Sequence, residues 1–288
     1  MKISDKIAHS ILNKESETYQ IFSNLEFRST KHTNFFYIYD DLLKKFKDKK
    51  ITLVEIGIAS GGSLFMWREL FKGNARIIGI DFNKDAKKWE KYGFEIYIGN
   101  QSDNFFWKNF YNQVGFIDIL VDDGGHTNEQ QLATFHNSYN YINEDGILIF
   151  EDTHASYLKE FGNPSKYSFI NFCKKIIDLQ NEKSIKSHEK FNYLKKIHRI
   201  DFFQSLVAVH INEYKATKNN SIINDGKIVN SEDYRLRDIK IFDKIERNKN
   251  FVRKIINPKI YFYLKKIYPY IKFIFFKIRN LKNIKYFR

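Results

Sequence analysis

Between residues 51 and 211 the chain alternates between two hydrophobic periods. Short, continuous apolar runs recur: ITLVEIGIA (51–59), ARIIGIDF (75–82), FEIYIGN (94–100), FIDILVDD (116–123) and GILIFED (146–152). Such runs predict strands covered on both faces. Between them lie mixed segments, GGSLFMWRELF, KDAKKWEKYG, DNFFWKNFYNQV and NEQQLATFHNSYNYI, and after them YSFINFCKKIIDLQ. These predict helices, the second closed by its glycine. IHRIDFF and SLVAVHI are close enough to form a terminal antiparallel pair. Strands alternating with helices give βαβ units, a mostly parallel seven-stranded sheet and helices on both faces. The expected fold class is α/β, with ligand chemistry outside the carboxyl ends of the strands.

The flanks read differently. Residues 1–48 are expected to be a helical cap, with FYIYDDLLKKF leading into the first strand. Residues 49–213 are the sheet domain, 214–246 a polar connector (213–235 flexible), and 247–288 a basic, aromatic tail. The net charge of +14 is concentrated in that tail: from Arg247 to Arg288 there are 13 Lys or Arg and no acid. The rest is near neutral, which argues against a nucleic-acid surface across the body. Cys173 is the single cysteine, so no intrachain disulfide forms, as suits a reducing compartment. The first twenty residues lack a secretory pattern, and no stretch of about 20 apolar residues predicts a transmembrane helix.

The chemistry clusters at predicted strand tips. EIGIASGG after the first strand supplies Glu55, Gly57, Gly61 and Gly62 in a tight turn into a helix. The spacing is neither GxGxxG nor a P-loop, so by itself it marks a turn. Asp81 ends the second strand, 24 residues after Gly57, where an acid can accept both hydroxyls of a ribose. GNQSD ends the third strand. Gln101, Ser102 and Asp103 can hydrogen-bond a base, or cap the following helix. VDDGGH ends the fourth strand and FEDTH the fifth. Asp123, Glu151 and Asp152 therefore meet at neighbouring tips. Three converging carboxylates repel unless a cation lies between them, and hard oxygen ligands select Mg²⁺, Mn²⁺ or Ca²⁺. A lone acid there would be a solvated strand end; three favour a metal. His126 follows a GG turn three residues beyond Asp123 and can serve as a general base; His154 competes for that role.

VEIGIASGGSL, GIDF, GNQSD, DILVDDGGH and GILIFEDTHASY together resemble the metal-dependent class I methyltransferases acting on macrolide sugars, relatives of rhamnosyl O-methyltransferases and cephalosporin hydroxylase-like proteins. The similarity covers about residues 28–212. STKHTNFFYIY is a fainter match to a Thr-Asp-Lys segment without its middle Asp, and Gly125 stands where the family usually has Ser. The resemblance implies a Rossmann-like class I methyltransferase fold and S-adenosylmethionine bound by Glu55, Gly57, Gly61, Asp81 and the Gln101–Asp103 turn. Thr30 and Lys31 would close over it. It implies Mg²⁺ or Mn²⁺ on Asp123, Glu151 and Asp152, with His126 as base. A sugar, sugar-nucleotide or glycan hydroxyl is the implied acceptor, in surface polysaccharide (capsule or lipooligosaccharide) biosynthesis. The alternatives are another acceptor (a phosphoryl-type glycan modification or a small diol) and a non-catalytic binding module of the same fold.

The tail mixes Lys and Arg with Tyr, Phe and Ile. It suits a segment lying on an anionic membrane, or a helix with a solvated basic face packed on a second subunit; single-stranded nucleic acid ranks below both. A cytoplasmic protein, at the inner face of the membrane if the tail binds lipid, is the expectation. Pro258 and Pro269 are expected to interrupt any single long helix there.

Overall fold

The computed structural model describes residues 10–162, 165–182, 191–216, 221–227 and 239–286. Two compact units result, one ending at Ser221 and the other running from Ile222 to Arg288. Residues 217–220 and 228–238 of the expected connector lie outside the described residues.

In the first unit, β1 (Ile51–Ile56), β2 (Ala75–Asp81), β3 (Glu95–Ile98), β4 (Ile117–Asp122), β5 (Ile142–Phe150), β6 (Ile197–Phe203) and β7 (Leu206–Ile211) form one sheet. Its order is β3-β2-β1-β4-β5-β7-β6. The first five strands are parallel, and β7 runs antiparallel to both β5 and β6. The expected apolar runs are the strands because their side chains alternate between two buried layers. Leu53, Ile119, Val121, Ile147 and Ile149 face one core; Val54, Ile56, Leu120, Leu148 and Phe150 face the other. β5 starts earlier than the apolar run: Ile142 pairs with Ile117 across a register shift, and Asp145 takes φ +61°. Half-buried Asn143 and exposed Glu144 and Asp145 hid this part of the strand from the hydrophobic pattern.

The first core is roofed by α1 (Glu17–Ser23), α2 (Thr33–Leu43) and α3 (Gly62–Leu70). Asp40 of α2 ties α1 down, accepting from Ser16 Oγ (2.5 Å), the Thr18 amide (3.0 Å) and the Thr18 hydroxyl. α2 buries Phe35, Phe36, Tyr39, Leu42 and Leu43. The second core packs beneath α4 (Asn104–Val114), α5 (Asn128–Ser138) and α6 (Phe169–Glu182). The segment KDAKKWEKY, expected as an α-helix, is a run of 3₁₀ turns, Lys84–Tyr92, closed by Gly93 at φ +87°. The sheet order reverses beside β1, whose neighbours β2 and β4 lead to opposite edges. Gly57 donates to the Ile80 carbonyl and Asp123 to that of Ile56, so the loops after these strands open one shared cleft.

In the second unit, α7 (Lys240–Ile255) takes in residues expected in the connector, and α8 runs Pro258–Asn280. Pro258 separates the two, sitting at the start of α8 under the Asn257 side-chain cap. Pro269 does not interrupt α8, contrary to expectation. Phe242 of α7 packs on Tyr268 before the proline and on Phe275 and Phe276 after it, at centroid distances of 6.1, 4.9 and 5.9 Å. Contacts on both sides offset the roughly 3 kcal/mol that an interior proline costs a helix. Among the described residues no helix is long and apolar enough to cross a membrane.

Candidate active site

A cleft of about 780 Å³ opens over the tips of β1, β2, β3 and β4. Gly57 (φ +86°) begins its floor; a Cβ there would lie 2.0 Å from the Asp123 carbonyl oxygen, so the β1 loop can pass the β4 tip only as glycine. Asp81 lines the cleft and clamps the loop: Oδ2 accepts from the amides of Ile58 (2.9 Å) and Ala59 (3.3 Å), and Oδ1 from Asn83 (2.8 Å). Thr30 and Gln101 also line it. Gln101 is buried; its Nε2 donates to Asp122 and its Oε1 accepts from the Gly125 amide at 3.0 Å. The cleft wall holds Asp81, Asp85, Asp123 and Asp152 against Arg28 and Lys88, a balance that suits a cationic ligand better than a pyrophosphate.

Several expected cofactor contacts lie elsewhere. Glu55 is fully buried beneath the loop and accepts from Ser63 Oγ at 2.7 Å; it orders the first turn of α3 and does not line the cleft. Gly61 is in the left-handed region (φ +77°), and a side chain there would also strike the Trp89 ring. Asp103 caps α4 through the Phe105 amide, and the Ser102 amide is held by Asn100 Oδ1, so both serve the turn. Lys31 does not cover the cleft.

Lys31 is instead the cation between the acids. Its Nζ donates to Asp123 Oδ2 (2.6 Å) and to Glu151 Oε1 and Oε2 (3.0 and 2.8 Å), and lies 3.7 Å from Glu55. Tyr39, two turns along α2, donates its hydroxyl to Glu151 Oε1. Converging carboxylates did require a positive charge, and an ammonium supplies it. One ammonium cannot neutralise three carboxylates, so burial still pushes Glu151 up to about 8 and Glu55 up to about 7, against the pull of Lys31. These acids in turn hold Lys31 far above its ordinary range despite burial. Of the expected metal set, Glu151 faces Lys31 and Tyr39 in this structure, while Asp123 and Asp152 share a cluster with His126. Sequence patterns missed Tyr39 because it sits on an ordinary amphipathic helix. Asp122 was passed over as well; it is buried against Gln101, and burial raises its pKa.

Asp152 points the other way. It has φ +51°, and its carboxylate meets His126 and Asp123, each of the three offering a ligand atom within 4.8 Å of the others. His126 Nε2 is 3.5 Å from Asp152 Oδ2 and 3.9 Å from Asp123 Oδ1, and His126 also has positive φ (+56°). Two non-glycine residues in this region mark a locally strained backbone at the site. Asp152 Oδ1 and His126 Nδ1 are buried without hydrogen-bond partners. Two carboxylates and an imidazole, each with one atom within reach of the others, are a donor set a divalent cation takes. The α5 helix that follows is fixed by a capping box between Thr127 and Gln130, which holds the DDGGH turn in place.

Residues 54–153, the span of this architecture from β1 to the β5 tip, match the family model described as a methyltransferase domain. The chain is 27% identical over 150 residues to a rhamnosyl tetracenomycin-C 2'-O-methyltransferase of Streptomyces olivaceus, covering 49% of this chain and 39% of that protein. It is 29% identical over 134 residues to demethylmacrocin O-methyltransferase of Streptomyces fradiae, covering 44% and 33%. The chain thus spans well under two thirds of these curated relatives. The MycE methyltransferase of the mycinamycin pathway, solved with Mg and SAH, superposes with a TM-score of 0.63 at 20% identity, covering 74% of this chain and 58% of that one. The first unit therefore has the Rossmann-like fold of that methyltransferase, residues 54–153 are similar to a methyltransferase domain, and the relatives that the chain resembles include rhamnosyl and olivosyl O-methyltransferases.

Proposed function

We propose that this protein is an S-adenosylmethionine-dependent O-methyltransferase acting on a sugar hydroxyl with the help of Mg²⁺. The observation that carries the reading is the junction of an acid-lined cleft at the β1/β4 reversal with the Asp123–His126–Asp152 cluster at its edge. The cofactor would supply a sulfonium methyl, and Mg²⁺ on Asp123 and Asp152 would supply Lewis acidity toward a hydroxyl. Asp81 receives the ribose hydroxyls while keeping the loop clamped. His126 is the residue that would accept the proton of the acceptor hydroxyl at the edge of the cleft. Lys31 and Tyr39 keep Glu151 and Asp123 fixed, so the strand tips are preorganised before substrate enters. Calorimetric titration with S-adenosylmethionine, with and without Mg²⁺, tests the reading. Binding with Mg²⁺ uptake abolished in Asp123→Ala, followed by transfer of one methyl to a rhamnoside, supports it. Failure to bind S-adenosylmethionine overturns it and favours the binding-module alternative.

α8 exposes Ile260, Phe262, Tyr263, Ile267, Tyr270 and Phe273, and residues 247–288 bear no acid to repel anionic headgroups. We infer that this unit lies on an anionic lipid surface, placing the enzyme beside membrane-associated glycan assembly. Co-sedimentation of the full chain with phosphatidylglycerol vesicles, lost with phosphatidylcholine vesicles or with Lys265→Glu/Lys266→Glu, is the expected outcome. Equal binding to both lipids, or a lipid-independent dimer, overturns it.

A further inference from the structure

The orphaned oxygen of Asp152 faces away from His126, and a second pair of side chains surrounds it. His32 caps the start of α2, and His154 lies in the 3₁₀ turn Thr153–Tyr157. His32 Nε2 is 3.2 Å and His154 Nδ1 3.8 Å from Asp152 Oδ1, and the three ligand atoms lie within 4.8 Å of one another. Neither nitrogen forms a hydrogen bond with that oxygen, and Asp152 Oδ1 and His154 Nδ1 are both buried without a partner. A carboxylate oxygen that makes no hydrogen bond and is approached only by two imidazole nitrogens calls for a further partner. Around a small divalent ion with bonds of about 2.0–2.2 Å, tetrahedral ligand atoms sit roughly 3.3–3.6 Å apart, and the two observed separations bracket that range. The imidazole rings meet edge to face with centroids 5.6 Å apart, leaving room between their nitrogens.

We propose that His32, Asp152 and His154 form a second cation site, taking an imidazole-seeking ion of the Zn²⁺ or Co²⁺ class. Two nitrogens and one oxygen are a poor set for Mg²⁺ and a good one for such ions. Asp152 is shared: Oδ2 looks toward His126 and the first cluster, Oδ1 toward the histidine pair. The ion would act as a latch. His32 ends the segment whose Arg28, Ser29 and Thr30 line the cleft wall, while Asp152 and His154 sit at the β5 tip. Binding would fasten that wall to the sheet. The site goes beyond the proposed methyl transfer and shares only Asp152 with it, so the test leaves Asp152 and Asp123 intact.

Tag-free full-length protein is stripped with chelator, saturated with Mg²⁺, and titrated with Co²⁺ by visible absorption and with Zn²⁺ by calorimetry. The expected result is about one equivalent of tightly bound ion, with a Co²⁺ spectrum showing nitrogen ligation. His32→Ala and His154→Ala should each weaken that ion more than about 10-fold, with Mg²⁺ and S-adenosylmethionine binding unchanged. His32 is largely exposed, so its variant should fold. Ion binding that survives both substitutions but vanishes in His126→Ala would place the ion in the first cluster and overturn the proposal. So would the absence of Co²⁺ or Zn²⁺ binding to protein that still binds S-adenosylmethionine. Loss of S-adenosylmethionine binding in the parent protein would instead strike at the methyltransferase reading.

Discussion

Glu151 and Asp152 are consecutive acids at one strand tip, yet their surroundings are opposite. Glu151 is 1% exposed, and its oxygens are taken by Lys31 and Tyr39. Asp152 is a quarter exposed, sits in the left-handed region, and keeps an oxygen unpaired. One neighbourhood is closed and polar-satisfied; the other is open and strained. The difference separates two jobs that the residue type alone cannot separate. A satisfied buried acid holds the fold together, and an unsatisfied one waits for a ligand.

The closed side should give the largest effect when broken. Lys31→Ala leaves Glu151, Asp123 and Glu55 facing one another without a counter-charge. Removing one partner of a buried ion pair costs about 3–5 kcal/mol, and urea denaturation should show a loss of that size. If Mg²⁺ can take the vacated place on Asp123 and Glu151, added Mg²⁺ will restore much of the lost stability in this variant and far less in the parent. An unchanged midpoint would show that Lys31 is not the counter-ion. Next in size is Gly57→Ala, at the join of the cleft floor and the β4 tip. The new Cβ cannot pass the Asp123 carbonyl, and φ +86° is strained for alanine. The expected loss exceeds about 1 kcal/mol, with S-adenosylmethionine affinity falling alongside it in calorimetry.

The same contrast explains what the sequence made legible. The alternation of strands and helices, the burial of both faces of the sheet and the placing of Asp123, Glu151 and Asp152 at neighbouring strand tips follow from apolar runs ending in acids. The identity of the cation among them does not follow, because Lys31 arrives from a segment 92 residues before Asp123. Its side chain is delivered by α2 packing, a tertiary event with no periodic signature. Asp103 and Ser102 looked like base contacts because cap residues and ligand-binding residues share the same chemistry. Only their backbone partners tell the two apart. Pro269 shows the reverse case, a strong local rule overridden by Phe242 packing on both flanks.

Smaller effects test the turn that carries His126. Thr127→Ala removes one half of the capping box and should cost about 1 kcal/mol, read as a modest fall in Tm. Because Thr127 offers no atom to the acid cluster, Mg²⁺ affinity should fall much less than in Asp123→Ala. A loss of equal size would mean that the turn's rigidity, and not its acids, sets binding.

Asp152→Asn should change stability least and function most. Asparagine keeps the shape and tolerates positive φ as well as aspartate does. It removes a charge that no hydrogen bond on Oδ1 compensates, so the folding midpoint should move by no more than about 0.5 kcal/mol. Cation binding should nevertheless collapse, since a neutral amide is a weak ligand for a hard ion. Glu151→Gln is the matched comparison. There the change falls on the satisfied side and strips Lys31 of a charged partner, so stability should drop by more than in Asp152→Asn. Parallel denaturation and Mg²⁺ titrations of the pair decide the matter. If Glu151→Gln loses cation binding while keeping its stability, the two adjacent acids have exchanged roles, and Lys31 must move away from Glu151 when the metal binds.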